Sequence, residues 1–320
     1  MMPMRRCGVL LLGAVGCSGG PPPPPSPAVD AGAIVVLASG QGGPCAVAVD
    51  GTSVYWANFT DGWIRSAPIA GGPIVDLVND PGGPNAVAFD ENAVYFSDVY
   101  LGDVSSVPLG GGQATLLASD PYSVQDIAVG SGAVFWTDFV GIERVETRGP
   151  GLSPLAAGQD YSYDVAVDAK SVYWTDRGYQ GSAAGSIMRL GLAGGTPVTL
   201  AQDEGFPEGI AIDSVNVYWT SVGVGDGGYV SAVPLDGGAV TLLAIDQGMP
   251  TGVAVDATSV YWTDQGDGGA GSGAVMKVPI GGGLPSIIAV NQAAPTGIAV
   301  DATSVYWTCS GDGTVRKAPK

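Results

Sequence analysis

The sequence predicts an all-β fold, a seven-bladed β-propeller of four-stranded blades whose last blade is closed by an N-terminal strand. Three observations predict it. The 320 residues include 52 Gly and 24 Pro and only 13% charged residues, a composition typical of short strands joined by tight turns. One sequence unit recurs seven times, about every 38 to 45 residues, which is the length of one blade. The seventh unit ends one strand short, and a matching segment lies near the start of the chain.

The repeated unit contains four predicted strands, which we label a to d. Strand a is an alternating apolar stretch that ends at a turn, and strand b is a VYWT-like stretch directly after it. Strand c runs into two or three glycines, as in residues 104–112, and strand d is a short apolar segment such as residues 241–244. The seven units begin at Ala46, Ala86, Asp126, Asp164, Gly209, Gly252 and Gly297.

The closing strand is predicted from the two ends of the repeat array. The seventh unit stops at Lys320, just after its strand c. Residues 34–38, followed by 39–44, have the same form as strand d at 241–244 followed by 245–250. We therefore expect residues 33–38 to supply the missing outer strand, because this pairing leaves no blade incomplete. The predicted propeller domain covers residues 33–320.

The first 32 residues predict export and anchoring. A basic start, an apolar run over residues 9–15 and small residues before Cys17 indicate a signal peptide. Residues 13–17 resemble a bacterial lipobox, which implies lipid modification of Cys17 and a signal segment over residues 1–17; the alternative is an ordinary secretory peptide cleaved nearby. Residues 18–32 are a proline-rich linker expected to act as a stiff spacer. Since no aspartate follows Cys17, the lipoprotein resemblance implies the outer membrane.

Residues that recur in every unit are predicted to be structural. One slot of strand b holds six tryptophans and, in the second unit, Phe96, and we expect these rings to pack between blades. An aspartate before the turn between strands a and b is expected to cap that turn. The tryptophans are Trp56, Trp136, Trp174, Trp219, Trp262 and Trp307. The aspartates are Asp50, Asp90, Asp168, Asp213, Asp256 and Asp301.

The strand b sequence resembles a known repeat family. Residues 173–176 and 261–264 read YWTD, and the unit is similar to the YWTD repeats of low-density-lipoprotein-receptor propellers over nearly all of residues 33–320. The resemblance implies a propeller fold and does not specify a partner. Those receptor domains usually have six blades beside cysteine-rich modules, whereas this chain has seven units and no such module.

Composition excludes two function classes. Acidic residues outnumber basic ones by 30 to 12 with no basic patch, so nucleic acid is not an expected partner. Histidine is absent, which excludes histidine-based triads and histidine-ligated metal sites. No catalytic residue is predicted, and a non-enzymatic role is favoured.

The predicted binding face is where the units differ, in the loops that join strand b to c and strand d to the next strand a. Both loop sets emerge at one face and place acidic and aromatic residues there. Such a face would favour a cation, a basic peptide or a sugar, and the alternative is that the acids only cap tight loops. The candidate binding residues are Asp80, Asp120, Tyr122, Asp160, Tyr161, Asp203, Phe206 and Asp246.

Two further sites are predicted near the ring's seam and in a late loop. Cys45 and Cys309 fall in adjacent blades, and in an oxidising envelope we expect a disulfide between them; the alternative is two buried thiols. Asp264 and Asp267 could contribute oxygen ligands to calcium, although their spacing matches no calcium loop.

These observations favour a cell-envelope lipoprotein that acts as a non-catalytic binding or scaffolding propeller for a protein or carbohydrate partner. It would contact the membrane through its lipid anchor only and need no cofactor, with calcium as the one candidate. The alternative is a calcium-dependent, carboxylate-based hydrolase or lactonase-like propeller enzyme. Acidic residues that converge at the channel mouth would favour the enzyme, and acidic residues dispersed around the rim would favour binding.

Overall fold

The computed structural model describes residues 32–80, 82–119, 122–147, 152–178, 185–225, 227–269 and 271–320. These residues form 28 β-strands and no helix, so none of the described elements is a helix able to span a membrane. The predictions for residues 1–31, which include Cys17, and for Asp120 lie outside the described residues.

The strands form seven four-stranded antiparallel sheets, each of which is one blade. For blades 1 to 7, strand a is Pro44–Val49, Pro84–Phe89, Asp126–Gly130, Ser162–Val167, Pro207–Ile212, Pro250–Val255 and Pro295–Val300. Strand b is Ser53–Asn58, Ala93–Asp98, Ala133–Thr137, Ser171–Asp176, Asn216–Ser221, Ser259–Asp264 and Ser304–Cys309. Strand c is Trp63–Pro68, Asp103–Pro108, Gly141–Glu146, Gly185–Gly191, Gly228–Pro234, Gly273–Pro279 and Thr314–Pro319. Strand d is Val75–Asn79, Thr115–Ser119, Ser153–Ala157, Val198–Glu204, Thr241–Gln247, Ser286–Gln292 and Val35–Ala38.

The seventh blade confirms the predicted closure. Its outer strand is Val35–Ala38, which pairs antiparallel with Thr314–Pro319. Val35 lies opposite Lys317 and Val36 opposite Arg316, and a bulge separates Val36 from Ala38. The two ends of the repeat array are therefore held in one sheet, as the sequence predicted.

The seven strands a form a closed inner ring. Strand a of each blade contacts strand a of the next, and blade 7 contacts blade 1 in the same way. In the later blades the contact is very close: a Cβ at Gly209 would lie 2.5 Å from the carbonyl oxygen of Thr251, and one at Gly252 equally close to that of Thr296. Only glycine fits these two positions, because a real Cβ does not approach a carbonyl oxygen so closely.

The repeated aromatic slot forms the packing between blades, as predicted. The six tryptophans and Phe96 are each at most 1% exposed. In four blades the indole N–H also donates to a side chain just after strand d of the preceding blade or at its end, so that burial does not leave it unpaired. These pairs are Trp56 with Gln41, Trp219 with Glu204, Trp262 with Gln247 and Trp307 with Gln292.

The repeated aspartates cap the turn between strands a and b, also as predicted. Asp168 is representative: its Oδ1 accepts hydrogen bonds from the N–H groups of Lys170 and Ser171, and its Oδ2 accepts one from the Tyr173 hydroxyl. Blade 3 lacks both partners at once. It has Gly130 in the aspartate position and Phe135 in the tyrosine position, so the hydroxyl is absent from the one blade that has no carboxylate to receive it.

The threonine of the YWT sequence joins neighbouring blades. In each of blades 3 to 7 its hydroxyl accepts a hydrogen bond from a backbone N–H of its own strand a and donates one to a carbonyl of the next blade's strand a. Thr175 illustrates the arrangement, with the Asp164 N–H 3.1 Å away and the Glu208 carbonyl oxygen 2.9 Å away. This repeated bridge fixes the positions of the residues that line the channel.

Candidate binding site in the channel

The central channel contains a cavity of about 440 Å³ at the end where the strands a begin. Two consecutive positions of each strand a surround it. The first, which we call the mouth ring, comprises Cys45, Asn85, Gln125, Tyr163, Glu208, Thr251 and Thr296. The second, which we call the inner ring, comprises Ala46, Ala86, Asp126, Asp164, Gly209, Gly252 and Gly297, all of which except Ala86 line the cavity.

Both rings can face the cavity because strand a is irregular at these positions in six of the blades; strand a of blade 3, which contains Asp126, pairs regularly with strand b. In blades 1, 2 and 4 to 7 the register with strand b shifts there, for example between Ser162 and Val165. A β-bulge of this kind re-aims side chains that a regular strand would send to opposite faces. Consecutive residues thus line one cavity.

The acidic residues of the rings converge on one side. Five inner-ring positions are alanine or glycine, and the two exceptions, Asp126 and Asp164, lie in adjacent blades. Glu208 of the mouth ring follows in the next blade. Blades 3, 4 and 5 therefore form an acidic wall, which we define as Asp126, Asp164 and Glu208.

Asp126 and Asp164 also connect blades. Asp126 Oδ2 accepts a hydrogen bond from the Val165 N–H at 3.2 Å, and Asp164 Oδ2 accepts one from the Ile210 N–H at 2.8 Å. Asp164 Oδ1 accepts a second bond from Val165, at 2.8 Å. Each carboxylate thus bridges to the next strand a. At the equivalent positions of the later blades, glycine lets the two strands approach each other directly.

Asp126 and Asp164 form a pair of interacting carboxyl groups. Their carboxyl groups are hydrogen-bonded to each other. Burial, reinforced by the Asp164 carboxylate, raises the pKa of Asp126 well above its ordinary range, and burial also raises the pKa of Asp164. The pair therefore retains a proton at pH values where an isolated aspartate is ionised.

Glu208 holds the cation of the site. Its side chain is 8% exposed and forms an ion pair with Arg177. Burial raises the pKa of Glu208 to about 7, even though the Arg177 charge lowers it. The Arg177 guanidinium also lies 4.3 Å from the ring centroid of Tyr163, so it is held between a carboxylate and an aromatic face.

The predicted rim residues do not join this wall. Asp160, Asp203 and Asp246 are exposed in separate blades, and Tyr122 is exposed as well. Asp203 and Asp246 have positive φ angles of 61° and 57°. Left-handed backbone favours Asp and Asn, which fits the alternative reading of these acids as loop-forming residues.

The remaining rim residues lie closer to their neighbours. The Tyr161 ring is 4.6 Å from that of Phe139, and Phe206 is half-buried at a φ of 53°. Asp80 Oδ1 accepts a hydrogen bond from the Gly82 N–H, and burial raises the pKa of Asp80 to about 6, with a contribution from Asp98.

The candidate calcium ligands are engaged in loop structure. Asp264 accepts backbone hydrogen bonds from Gly248, Met249 and Gly266, which occupy both carboxylate oxygens. Asp267 is exposed and accepts one from Gly269. Among the described residues, no group of three or more His, Cys, Asp or Glu is arranged to hold a metal ion.

Both cysteines predicted to form a disulfide are free thiols in the structure. Cys45 points toward blade 2, where its sulfur lies 3.5 Å from the Pro84 carbonyl oxygen, and it makes the inter-blade contact that threonine makes elsewhere. Cys309 points toward blade 6, with its sulfur 3.6 Å from Gln292 Oε1. The structure thus differs from the predicted bridge because the thiols face away from the seam in opposite directions.

The acidic wall was not among the sequence predictions, although its signal is present in the alignment of units. Five units begin with Ala or Gly, and units three and four begin with Asp. The residue that follows YWTD is Arg177 in unit four alone. These departures are single residues, and only the ring places them beside one another.

Comparison with known proteins defines the class by fold. No family model and no curated protein matches the chain. The structure is similar to virginiamycin B lyase from Staphylococcus aureus, at 15% identity over 90% of this chain and 98% of that chain, with a TM-score of 0.75. It is also similar to hydrazine synthase from Kuenenia stuttgartiensis, at 14% identity over 88% and 97%, with a TM-score of 0.73.

A chain of a nidogen/laminin complex matches at 22% identity over 72% of this chain and 90% of that one, with a TM-score of 0.57. Identities this low show the fold alone. The chain is a seven-bladed β-propeller of four-stranded antiparallel blades, a fold shared by proteins of different functions.

Proposed function

We propose that this chain is an exported, lipid-anchored propeller that binds a basic polypeptide at the cell envelope without catalysing a reaction. The observation that carries the proposal is the one-sided acidic wall of Asp126, Asp164 and Glu208 in an open cavity on the loop face. Among the described residues around the cavity, these three carboxyl groups lie beside one cation, Arg177. With Glu208 ionised and one proton on the aspartate pair, the group keeps a net negative charge, so the cavity favours further positive charge. Tyr122 and Tyr161 on the same face would supply apolar contact area for a bound chain.

The acids converge, which is also what the calcium-dependent hydrolase requires. Their oxygens, however, are largely engaged: Asp164 uses both, Asp126 uses one and Glu208 pairs with Arg177. Calcium takes six to eight oxygen ligands. This donor set therefore suits an ammonium or guanidinium group better than a hard metal ion.

The similarity to the lyase does not extend to its chemistry. One structure of the Staphylococcus aureus enzyme carries a histidine-to-alanine substitution and is described as catalytically inactive. The present chain contains no histidine. A binding role needs no such residue.

The experiment compares peptides of matched length and different charge, using the full chain purified from membranes in detergent. We expect a lysine- and arginine-rich peptide to bind, and the double variant Asp126→Asn, Asp164→Asn to bind it at least about tenfold more weakly. Asparagine preserves the hydrogen bonds from Val165 and Ile210, so the fold should be retained. Exposed Asp246→Asn is the matched control.

Two results would contradict the proposal. One is equal binding of basic, neutral and acidic peptides by the unmodified chain. The other is tighter binding of uncharged oligosaccharides, which would identify a carbohydrate partner. Calcium is added and chelated in parallel, and a change in melting temperature abolished by the double variant would favour the hydrolase.

A further inference from the structure

Arg177 contacts Tyr163 and Glu208 in the way that a bound guanidinium ligand would contact its site. The Glu208 carboxylate lies deeper, at 8% exposure, and the Arg177 side chain covers it from the solvent side, at 27% exposure. The Arg177 Cζ lies over the Tyr163 ring, 4.3 Å from its centroid, which is within stacking distance. A planar, delocalised cation is the group that can stack on an aromatic ring and donate to a carboxylate at the same time.

The residues under Arg177 are held rigidly. The Tyr163 carbonyl oxygen accepts a hydrogen bond from Thr137 at 2.8 Å, and the Glu208 carbonyl oxygen accepts one from Thr175 at 2.9 Å. Each donor belongs to the blade before that of its acceptor. The packing of neighbouring blades therefore fixes the distance between the Tyr163 ring and the Glu208 carboxylate. A site fixed in this way loses little conformational freedom when a ligand binds.

The partners in this contact are paired departures from the repeat. At the position after the YWTD sequence the other units have Phe59, Val99, Phe139, Val222, Gln265 and Ser310. In the mouth ring, Glu208 is the only acid. Arginine and glutamate therefore occur once each, in neighbouring blades, at two positions that meet.

We propose that Tyr163 and Glu208 form a guanidinium site that the chain fills with its own Arg177, and that an arginine side chain of the partner polypeptide displaces Arg177 from it. The exchange with a partner rests on the proposed function, whereas the guanidinium site itself does not. Arg177 thus acts as an internal competitor, and Asp126 and Asp164 beside it attract the incoming cation. The specificity that follows is for arginine over lysine, because an ammonium group cannot stack on Tyr163.

The first measurement is chemical rescue of the variant Arg177→Ala in the full chain. This variant leaves Glu208 buried without its cation, so we expect a lower melting temperature than that of the unmodified chain. Millimolar guanidinium or ethylguanidinium should restore much of the loss, since a ligand that binds only the folded state stabilises it. Equal concentrations of ethylammonium and of sodium control for positive charge and ionic strength.

The second measurement is binding of one peptide in arginine, lysine and citrulline versions. With the competitor removed, Arg177→Ala should bind the arginine peptide roughly tenfold more tightly than the unmodified chain does. The double variant Arg177→Ala, Glu208→Gln should fold, because no unpaired charge remains, and should show neither rescue nor this gain. It also keeps the test valid if the single variant is too unstable to purify.

The outcomes separate the two proposals. Rescue by all cations alike, or rescue of the double variant, would overturn the guanidinium site. Specific rescue with no arginine-dependent gain in peptide binding would overturn the exchange and leave Arg177 as a permanent internal ligand. Binding of basic peptides that does not distinguish arginine from lysine would support the proposed function and contradict the inference.

Discussion

Neighbouring strands a are joined in different ways on the two sides of the channel. On the side of blades 6, 7 and 1, Gly252 and Gly297 let neighbouring strands a approach until a Cβ would lie within 3 Å of backbone atoms. On the side of blades 3 and 4, Asp126 and Asp164 reach across to a backbone N–H of the next strand. Both arrangements join blades, but only the second places ionisable groups in the cavity.

The difference identifies the side of the channel whose residues cost stability. Burying carboxyl groups costs free energy, whereas glycine contacts and the neutral Thr251 and Thr296 beside them carry no such cost. The acidic wall is therefore the part of the channel most in need of a functional explanation, and it is where we place the ligand.

The largest expected effect comes from breaking the glycine side. Gly252→Ala should lower the free energy of unfolding by about 4 kcal/mol, because the new Cβ would meet the Thr296 carbonyl oxygen in a contact that cannot relax without separating two blades. Denaturant unfolding measures it. Gly281→Ala, whose Cβ would meet nothing within 4 Å, should change stability by at most about 0.5 kcal/mol. Similar losses in both variants would show that the close approach does not matter.

The next effect concerns the acidic side and its response to pH. The pKa of Glu208 is about 7 in the folded protein and near its ordinary value of 4.5 when unfolded. Between these values the folded state binds more protons than the unfolded state, so stability falls as pH rises from about 4.5 to 7 and then levels off. A shift of this size corresponds to about 3 kcal/mol.

The measurement is denaturant unfolding at pH 5 and pH 8, where we expect the higher stability at pH 5. Glu208→Gln should reduce the difference in unfolding free energy between the two pH values, because glutamine does not titrate. Exposed Asp246→Asn provides the comparison that should leave the pH profile unchanged. A variant profile that coincides with that of the unmodified chain would mean that Glu208 ionises normally in the folded state.

The smallest effect tests the seam between blades 7 and 1. Burial raises the pKa of Cys45 to about 12 and also raises that of Cys309, so both thiols should react with an alkylating reagent much more slowly in the folded protein than after unfolding, Cys309 more slowly still because it is fully buried. Cys45→Thr should change stability by no more than about 1 kcal/mol, because threonine makes the equivalent contact in other blades. Mass spectrometry of non-reduced peptides decides the pairing, and a Cys45 to Cys309 peptide would restore the disulfide prediction.

The sequence was sufficient to predict the fold because seven copies of one pattern each indicate the same strands. Strand b, the buried tryptophan slot and the capping aspartates could be predicted from seven copies of one pattern, and the pairing of residues 33–38 with the last blade followed from counting strands. The same comparison of copies did not predict the acidic wall, because its residues are single departures from the shared pattern. Asp126 and Asp164 looked like the starts of two ordinary strands, and Arg177 looked like one residue of a variable loop.

The candidate binding residues predicted from the sequence lie in or next to loops at the end of the propeller where the channel cavity opens, and they differ from the acidic residues that the structure brings together there. Loop acids such as Asp203 and Asp246 were predicted because an acidic residue recurs at this point of the loop. In the structure they are dispersed around the rim and have positive φ angles. Asp164 and Glu208 reach the cavity through the β-bulge in strand a of blades 4 and 5, whereas Asp126 begins a regularly paired strand a in blade 3. No local pattern marks that bulge, since it depends on how strand a pairs with strand b and packs against the next blade.

By itself the sequence determined the number of blades, their strand order and the closure of the ring, because period and count are properties of the chain alone. The tertiary structure decided which residues share the cavity and which direction each thiol faces. Asp126, Asp164 and Glu208 are about 40 residues apart from one to the next, so nothing local relates them. They become neighbours only because seven blades close around one axis and bring the start of every strand a to the same channel.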